Sequence, residues 1–199
     1  ITSLKIFPIE AMLKGKAAVV GLHPMFRPGP SGLKGQTVIM CPARATKEQR
    51  GFFRKLFERA EAVVTEMPAE KHDELMAIIQ VLIHFHSMVL GHSLRELKVN
   101  LAETFRAMSP IYRMQFDVVC RIFAQDPKLY AQIQMLNPQT PKVLRAFLKV
   151  TEEMLVVAEQ KDFVTFEKKF LETAEFLGDF SQKALKESDK LLQLFQKNV

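Results

Sequence analysis

Five histidines and two arginines carry most of the chemistry this sequence can offer. The histidines are His23, His72, His84, His86 and His92. An imidazole changes charge near neutral pH, so each is a candidate proton acceptor, although a hydrogen-bonded place in a core is the commoner fate of a histidine. His23 follows an apolar, strand-like run in GLHPMFRPGP (21–30), where three prolines fall within seven residues. His84 and His86 are two positions apart, and on a helix such residues project about 200° from one another, so they cannot share an ion. No metal site is expected. Arg113 and Arg121 stand eight apart in SPIYRMQFDVVCRIFAQDP (109–127), within about 80° of one face if that segment is helical. Asp117 lies four residues from each, which allows an ordinary i,i+4 ion pair. The alternative is a fork for carboxylates, because planar guanidinium donors match carboxylate oxygens two at a time.

Three short apolar runs could hold the first of these groups in place: 17–22, 37–41 and 62–67, each bounded by turn-forming residues. Between the last two, Thr46 with Gln49 three residues on signals a helix start, and Phe52, Phe53, Leu56, Phe57 and Ala60 recur on one face. Strand, helix, strand at this length is a βα unit of an α/β sheet. Three strands and one helix cannot cover both faces of such a sheet, so its remainder is expected N-terminal to Ile1. From Pro68 onward the patterns are helical. HDELMAIIQVLIHFHSMVLGHSLREL (72–97) is too apolar for a one-faced surface helix and is expected to be buried nearly all round. Further helices are expected over 110–125, 127–136, 141–160 and 162–196, most with Pro or Asp near the start. The last stretch carries a long apolar stripe through Phe163, Phe166, Phe170, Leu177 and Phe180, for which a helical dimer interface is the natural sink. The expected division is residues 1–67 and 68–199.

Composition narrows the partners. The 199 residues are 48% hydrophobic, enough for a sizeable core. Net charge is +6, but residues 1–60 hold 11 Lys and Arg against 3 Glu, a net +8, and the rest is slightly acidic. The basic residues are scattered singly, without the aromatic interleaving of a nucleic-acid platform, so anionic small molecules are the better match. Two cysteines in apolar surroundings suggest neither disulfides nor zinc. No apolar run approaching 20 residues and no leader pattern are apparent, which gives the expectation of a soluble, cytoplasmic protein away from membranes.

GLHPMF (21–26), the His72-Asp73 pair, QVLIHF (80–85), SPIYR (109–113) and CRIFAQDP (120–127) occur in one order and at separations that resemble prephenate dehydrogenase, in particular the type fused to chorismate mutase. The resemblance spans essentially the whole chain and matches the C-terminal part of that enzyme. It implies a mainly α fold: an all-helical dimerisation domain preceded by the last βα units of a Rossmann-like α/β domain. It also implies NAD-dependent oxidative decarboxylation of prephenate to 4-hydroxyphenylpyruvate in tyrosine biosynthesis, by a homodimer, with NADP as the alternative cofactor. His23 matches the catalytic histidine that accepts the proton of the ring hydroxyl. Arg121 matches the arginine that holds a substrate carboxylate, and Arg113, His84 and His72 match positions lining or supporting the substrate pocket. Ser3 and Lys5 match the cofactor-binding segment near nicotinamide. None of the eight glycines forms a GxGxxG turn, so this chain alone is not expected to bind NAD or to turn over. Arogenate dehydrogenases share these motifs, and a non-catalytic helical dimerisation module is the further alternative. Arg27, Ile83 and Met108 depart from the family pattern.

Overall fold

A computed structural model describes residues 2–27 and 32–196. Pro28 and Pro30, two of the three prolines in GLHPMFRPGP, lie outside the described residues. The chain forms two compact units, residues 1–83 with 127–143 and residues 84–126 with 144–199. Segments 68–83 and 127–143, expected in an all-helical domain, thus cluster with the sheet.

The first unit opens with helix α1 (Ile6–Leu13), followed by β1 (Val19–Pro24), β2 (Thr37–Arg44), α2 (Lys47–Glu58) and β3 (Val63–Glu66). β2 is the central strand, antiparallel to β1 and parallel to β3. The β2-α2-β3 portion is the expected parallel unit, started by a full Thr46/Gln49 capping box. The antiparallel β1-β2 pairing and the short α1 were not legible beforehand. Val38, Ile39, Met40 and Cys41 are all buried, so β2 is covered on both faces and reads as an unbroken apolar run. Ile9, Val19, Ile39, Cys41 and Met76 form the core that joins α1, the sheet and α3 (Ala69–Met76).

After α3 the backbone widens into a π-helical stretch, Ala77–Leu82. Such a stretch disturbs the regular hydrogen-bond ladder, and these recur at functional sites. Gln134 of α7 (Pro127–Leu136) reaches it, donating from Nε2 to the Val81 carbonyl at 3.1 Å. Asn137, just beyond α7, likewise donates to the Asp73 carbonyl at 2.9 Å. The two buried amides dock α7 to this segment through polar contacts that no apolar periodicity would reveal.

The second unit contains α4 (Ile83–Glu96), α5 (Leu101–Arg106), α6 (Pro110–Phe123), α8 (Thr140–Glu159), α9 (Phe163–Leu177) and α10 (Asp179–Gln196), the ends of α4 and α8 lying in the first. Aromatic edges hold it: Phe85 meets Phe147 and Phe105 meets Phe116 at centroid distances of 6.0 and 5.9 Å. The helix expected over 162–196 is divided at Gly178, whose φ of 52° is the left-handed value that favours glycine.

Two expectations need correction. The helical run Ala69–Glu96 is not buried nearly all round: its most apolar stretch has a mean hydropathy of 1.5 and only 22% burial. Ile78, Ile79, Ile83 and Val89 face outward. By length and composition the run could also cross a membrane, contrary to the expectation that none approaches that length. The reason is that Leu75 to Leu94 carries no Asp, Glu, Lys or Arg, while its scattered Gln and His residues broke up the apolar pattern.

Candidate functional site

Strand alternation aims His23 inward. Val19, Gly21 and His23 share one face of β1, and both Val19 and His23 are buried. Gly21 lets that face come close to the start of the chain, since a Cβ there would lie 2.8 Å from Lys5 Cδ and 3.0 Å from Ile9 Cδ1. From the other side, helical spacing on α3 turns His72, Asp73 and Met76 toward the strand, all fully buried.

His23 Nδ1 lies 2.8 Å from His72 Nε2, and His72 Nδ1 lies 2.7 Å from Asp73 Oδ1. The carboxylate then receives the backbone N–H of Lys5 on Oδ1 at 2.8 Å and that of Ile6 on Oδ2 at 3.0 Å. These are the N-cap and first N–H groups of α1, whose own cap residue supplies no side-chain bond. At the opposite end, Gln80 Nε2 of the π-helical stretch is 3.3 Å from His23 Nε2. Gln80 also shares a narrow cleft with Ser3 and Leu4.

The charges follow from this enclosure. Burial is the main reason that the His23 imidazole is pushed down to about 3, with the nearby Lys5 ammonium and the adjacent His72 ring adding to it. The near-neutral basicity of a free histidine therefore does not apply, and His23 is neutral at pH 7. Burial pushes the Asp73 carboxyl up, yet bonds from His72, Ile6 and Lys5 outweigh it and hold it below the ordinary carboxylate range. Burial also lowers Lys5 to about 8, against the pull of Cys41 and Asp73. Its ammonium is turned back onto Thr2, bonding the carbonyl and, at 3.2 Å, the hydroxyl.

Of the expected site residues, His23, His72, Lys5 and Ser3 all fall in the first unit. His72 has no exposure and both ring nitrogens engaged, which suits a supporting role behind His23. Asp73, seen in the sequence only as the neighbour of His72, and Gln80, seen only inside QVLIHF, complete the cluster. Their signal was the spacing of 72, 73, 76 and 80 along one side of a helix.

His84, Arg113 and Arg121 lie in the second unit. The His84 imidazole is lowered by burial. Arg113 takes the i,i+4 pair, its Nε 3.1 Å from Asp117 Oδ1, and stacks over Phe105 at 4.5 Å. Arg121 is exposed, and among the described residues its guanidinium enters no ion pair. Among the described residues no cluster of His, Cys, Asp and Glu could hold a metal ion.

Residues 68–172 match the family described as "Prephenate dehydrogenase, dimerization domain". The chain is 36% identical over 196 residues to a probable arogenate/prephenate dehydrogenase of Methanocaldococcus jannaschii, covering 96% of this chain and 44% of that protein. It is 34% identical to the T-protein of Enterobacter agglomerans, covering 97% and 52% respectively. Its fold is similar to a prephenate dehydrogenase from A. aeolicus solved with hydroxyphenyl propionate and NAD+, with a TM-score of 0.57 and 22% identity over 80% of this chain and 59% of that one. The chain thus spans about half the length of the curated relatives it matches.

Proposed function

The chain belongs to the prephenate dehydrogenase family, and from that premise we propose that it carries the proton-accepting and substrate-holding side of a prephenate dehydrogenase site. In this reading residues 1–67 are the end of a nucleotide-binding domain, residues 68–199 form the helical substrate and dimerisation domain, and the working protein is a cytoplasmic homodimer. The observation that carries it is the buried His23-His72-Asp73 series, which joins β1 to α3 through two short hydrogen bonds.

His23 accepts the proton of the ring hydroxyl at Nε2, the ring nitrogen that His72 does not occupy. Gln80, 3.3 Å from that nitrogen, is placed to steer the hydroxyl. A neutral imidazole keeps one ring nitrogen without a hydrogen, but at about 3 that nitrogen is a weak base until something raises it. A dianionic substrate would offset the Lys5 charge and raise the basicity of His23 as it arrives. The hydroxyl oxygen becomes carbonyl-like only if the ring carbon bearing it gives up its hydride, to the acceptor that NAD would supply, as the proton passes to His23; departure of the ring carboxylate as carbon dioxide then aromatises the ring. Arg121, exposed and without an ion pair among the described residues, is the arginine this reading assigns to a substrate carboxylate.

NAD would supply the hydride acceptor for this reaction. The present residues do not fit the whole nucleotide: none of the eight glycines forms a phosphate-cradling GxGxxG, and the Lys5 ammonium is already spent on Thr2. Lys5, packed on Gly21 of the His23 strand, and Ser3, beside Gln80, are therefore assigned to the cofactor side only by their place near the histidine cluster.

Calorimetric titration of prephenate and, separately, of NAD into this chain tests the reading. Prephenate should bind and NAD should not. Arg121→Ala should lose at least about tenfold in prephenate affinity, the cost of a lost charge-assisted contact, with little change in thermal midpoint. Absence of prephenate binding, or an Arg121→Ala chain that binds it equally well, would leave a helical dimerisation module as the better description. Arogenate in the same cell separates the two substrates, which differ in an amino or keto group.

A further inference from the structure

We propose that Asp73 is a positioning residue that fixes the proton arrangement of two histidines in series, so that His23 presents a bare Nε2, and that the same carboxylate fastens the segment carrying Ser3 and Lys5 to that pair. For its catalytic meaning the inference rests on the reading of His23 as proton acceptor; the proton arrangement itself does not.

The steps are those of donor and acceptor accounting. An ionised carboxylate only accepts. Asp73 already accepts from two backbone N–H groups, so it stays ionised and the His72 nitrogen 2.7 Å away must bring the hydrogen. His72 is then the Nδ1–H tautomer, and its Nε2 is an acceptor. The group 2.8 Å from that lone pair is His23 Nδ1, which must therefore be the N–H donor. A neutral His23 has one ring hydrogen, so its Nε2 is left bare, which agrees with the Gln80 amide nitrogen lying 3.3 Å away. Each proton is placed by the group behind it, and the series ends at Asp73.

The second half of the inference concerns α1. The carboxylate that orders the histidines is also the cap of an eight-residue helix, whose first N–H groups it holds at 2.8 and 3.0 Å. Asn137 in turn holds the Asp73 carbonyl and accepts from the backbone N–H of Gln139 at 2.9 Å. Lys5 is thus held by its backbone to the residue that sets the histidines, while its side chain packs against Gly21, two residues before His23. Four chain segments are thus tied together through Asp73: 5–6 and His72 at its carboxylate, His23 through His72, and Asn137 at its backbone carbonyl.

The rival arrangement is a doubly protonated His72 with His23 as the Nε2–H tautomer, which would close the lone pair that a substrate hydroxyl needs. Long-range proton–nitrogen correlation spectra of the chain labelled with 15N-histidine, at pH 7.5 and without substrate or cofactor, distinguish the two. Both His23 and His72 should appear as Nδ1–H tautomers, favoured at least about tenfold, as a buried charge-assisted bond implies. His23 seen as Nε2–H, or His72 carrying two protons, would overturn the proposal. Asp73→Asn can either accept from or donate to His72, so the tenfold preference should collapse at His72 and, through it, at His23. A folded Asp73→Asn chain with both tautomers unchanged would also overturn it, and if that variant does not fold the wild-type spectrum alone decides. Tautomers as stated, together with an active dehydrogenase whose turnover of prephenate is unchanged by His23→Gln, would sink the proton-acceptor reading and leave the relay standing.

Discussion

His23→Gln turns the enclosure of the histidine pair into a measurable pH dependence. The imidazole sits at about 3 in the folded chain and near 6.5 when exposed, so the unfolded chain binds a proton that the folded one refuses. A group lowered on folding favours the folded state fully above its unfolded value, and that advantage is lost as pH falls through the window between 6.5 and about 3. Each pH unit inside the window is worth up to about 1.4 kcal/mol. From pH 7.5 to 5.0 only about 1.5 units lie inside it, so the His23 share of the loss is about 1–2 kcal/mol. Glutamine keeps comparable bulk and hydrogen bonding but does not titrate. Urea unfolding of both chains across this range should show the wild type losing that much more stability than His23→Gln, whatever constant offset the substitution introduces. His84, also lowered by burial, contributes equally to both chains and cancels. Parallel curves, agreeing within about 0.3 kcal/mol over the range, would refute the claim that His23 is held neutral by burial.

Two further outcomes follow from the same region. Gly21→Ala would press a methyl against the Lys5 stem at 2.8 Å and Ile9 at 3.0 Å, with the Cys41 carbonyl at 3.4 Å behind, and should destabilise by about 1–2 kcal/mol in a denaturant titration. Cys41 is buried and its thiol is pushed up to about 11, mainly by burial, whereas Cys120 is exposed. A thiol reagent at pH 8 should therefore label one cysteine, Cys120, in the native chain and two in denaturant, as read by mass spectrometry.

Much of the fold was legible because it is written in local patterns. The capping box at Thr46, the continuous apolar run of β2 and the prolines opening α6 and α7 act within a few residues and emerged as read. What was missed depends on distant partners. α1 is a short helix whose cap comes from Asp73, more than sixty residues away, so nothing in IFPIEAML announces its start. The π-helical stretch has an ordinary helical composition and is met by Gln134 from another helix. Within the site, His23 stood out because a histidine at a strand end has little local reason to be there. Asp73 did not, because an acid in the first turns of a helix already has an ordinary explanation. Its place beneath His72 is set by packing between α3 and β1, which no single-sequence period encodes.

The apolar residues left in the open have a thermodynamic consequence. Phe163, Phe176 and Phe180 are 72, 86 and 76% exposed, and Ile78, Ile79 and Ile83 are uncovered as well. Surface of this kind is taken from water when it meets a second copy, and whatever binds only the folded form stabilises it by mass action. In the homodimer proposed above, the stability of this chain is then not one number. It is a function of how much protein is in the tube, and two laboratories working at different concentrations would measure different melting points for one sequence.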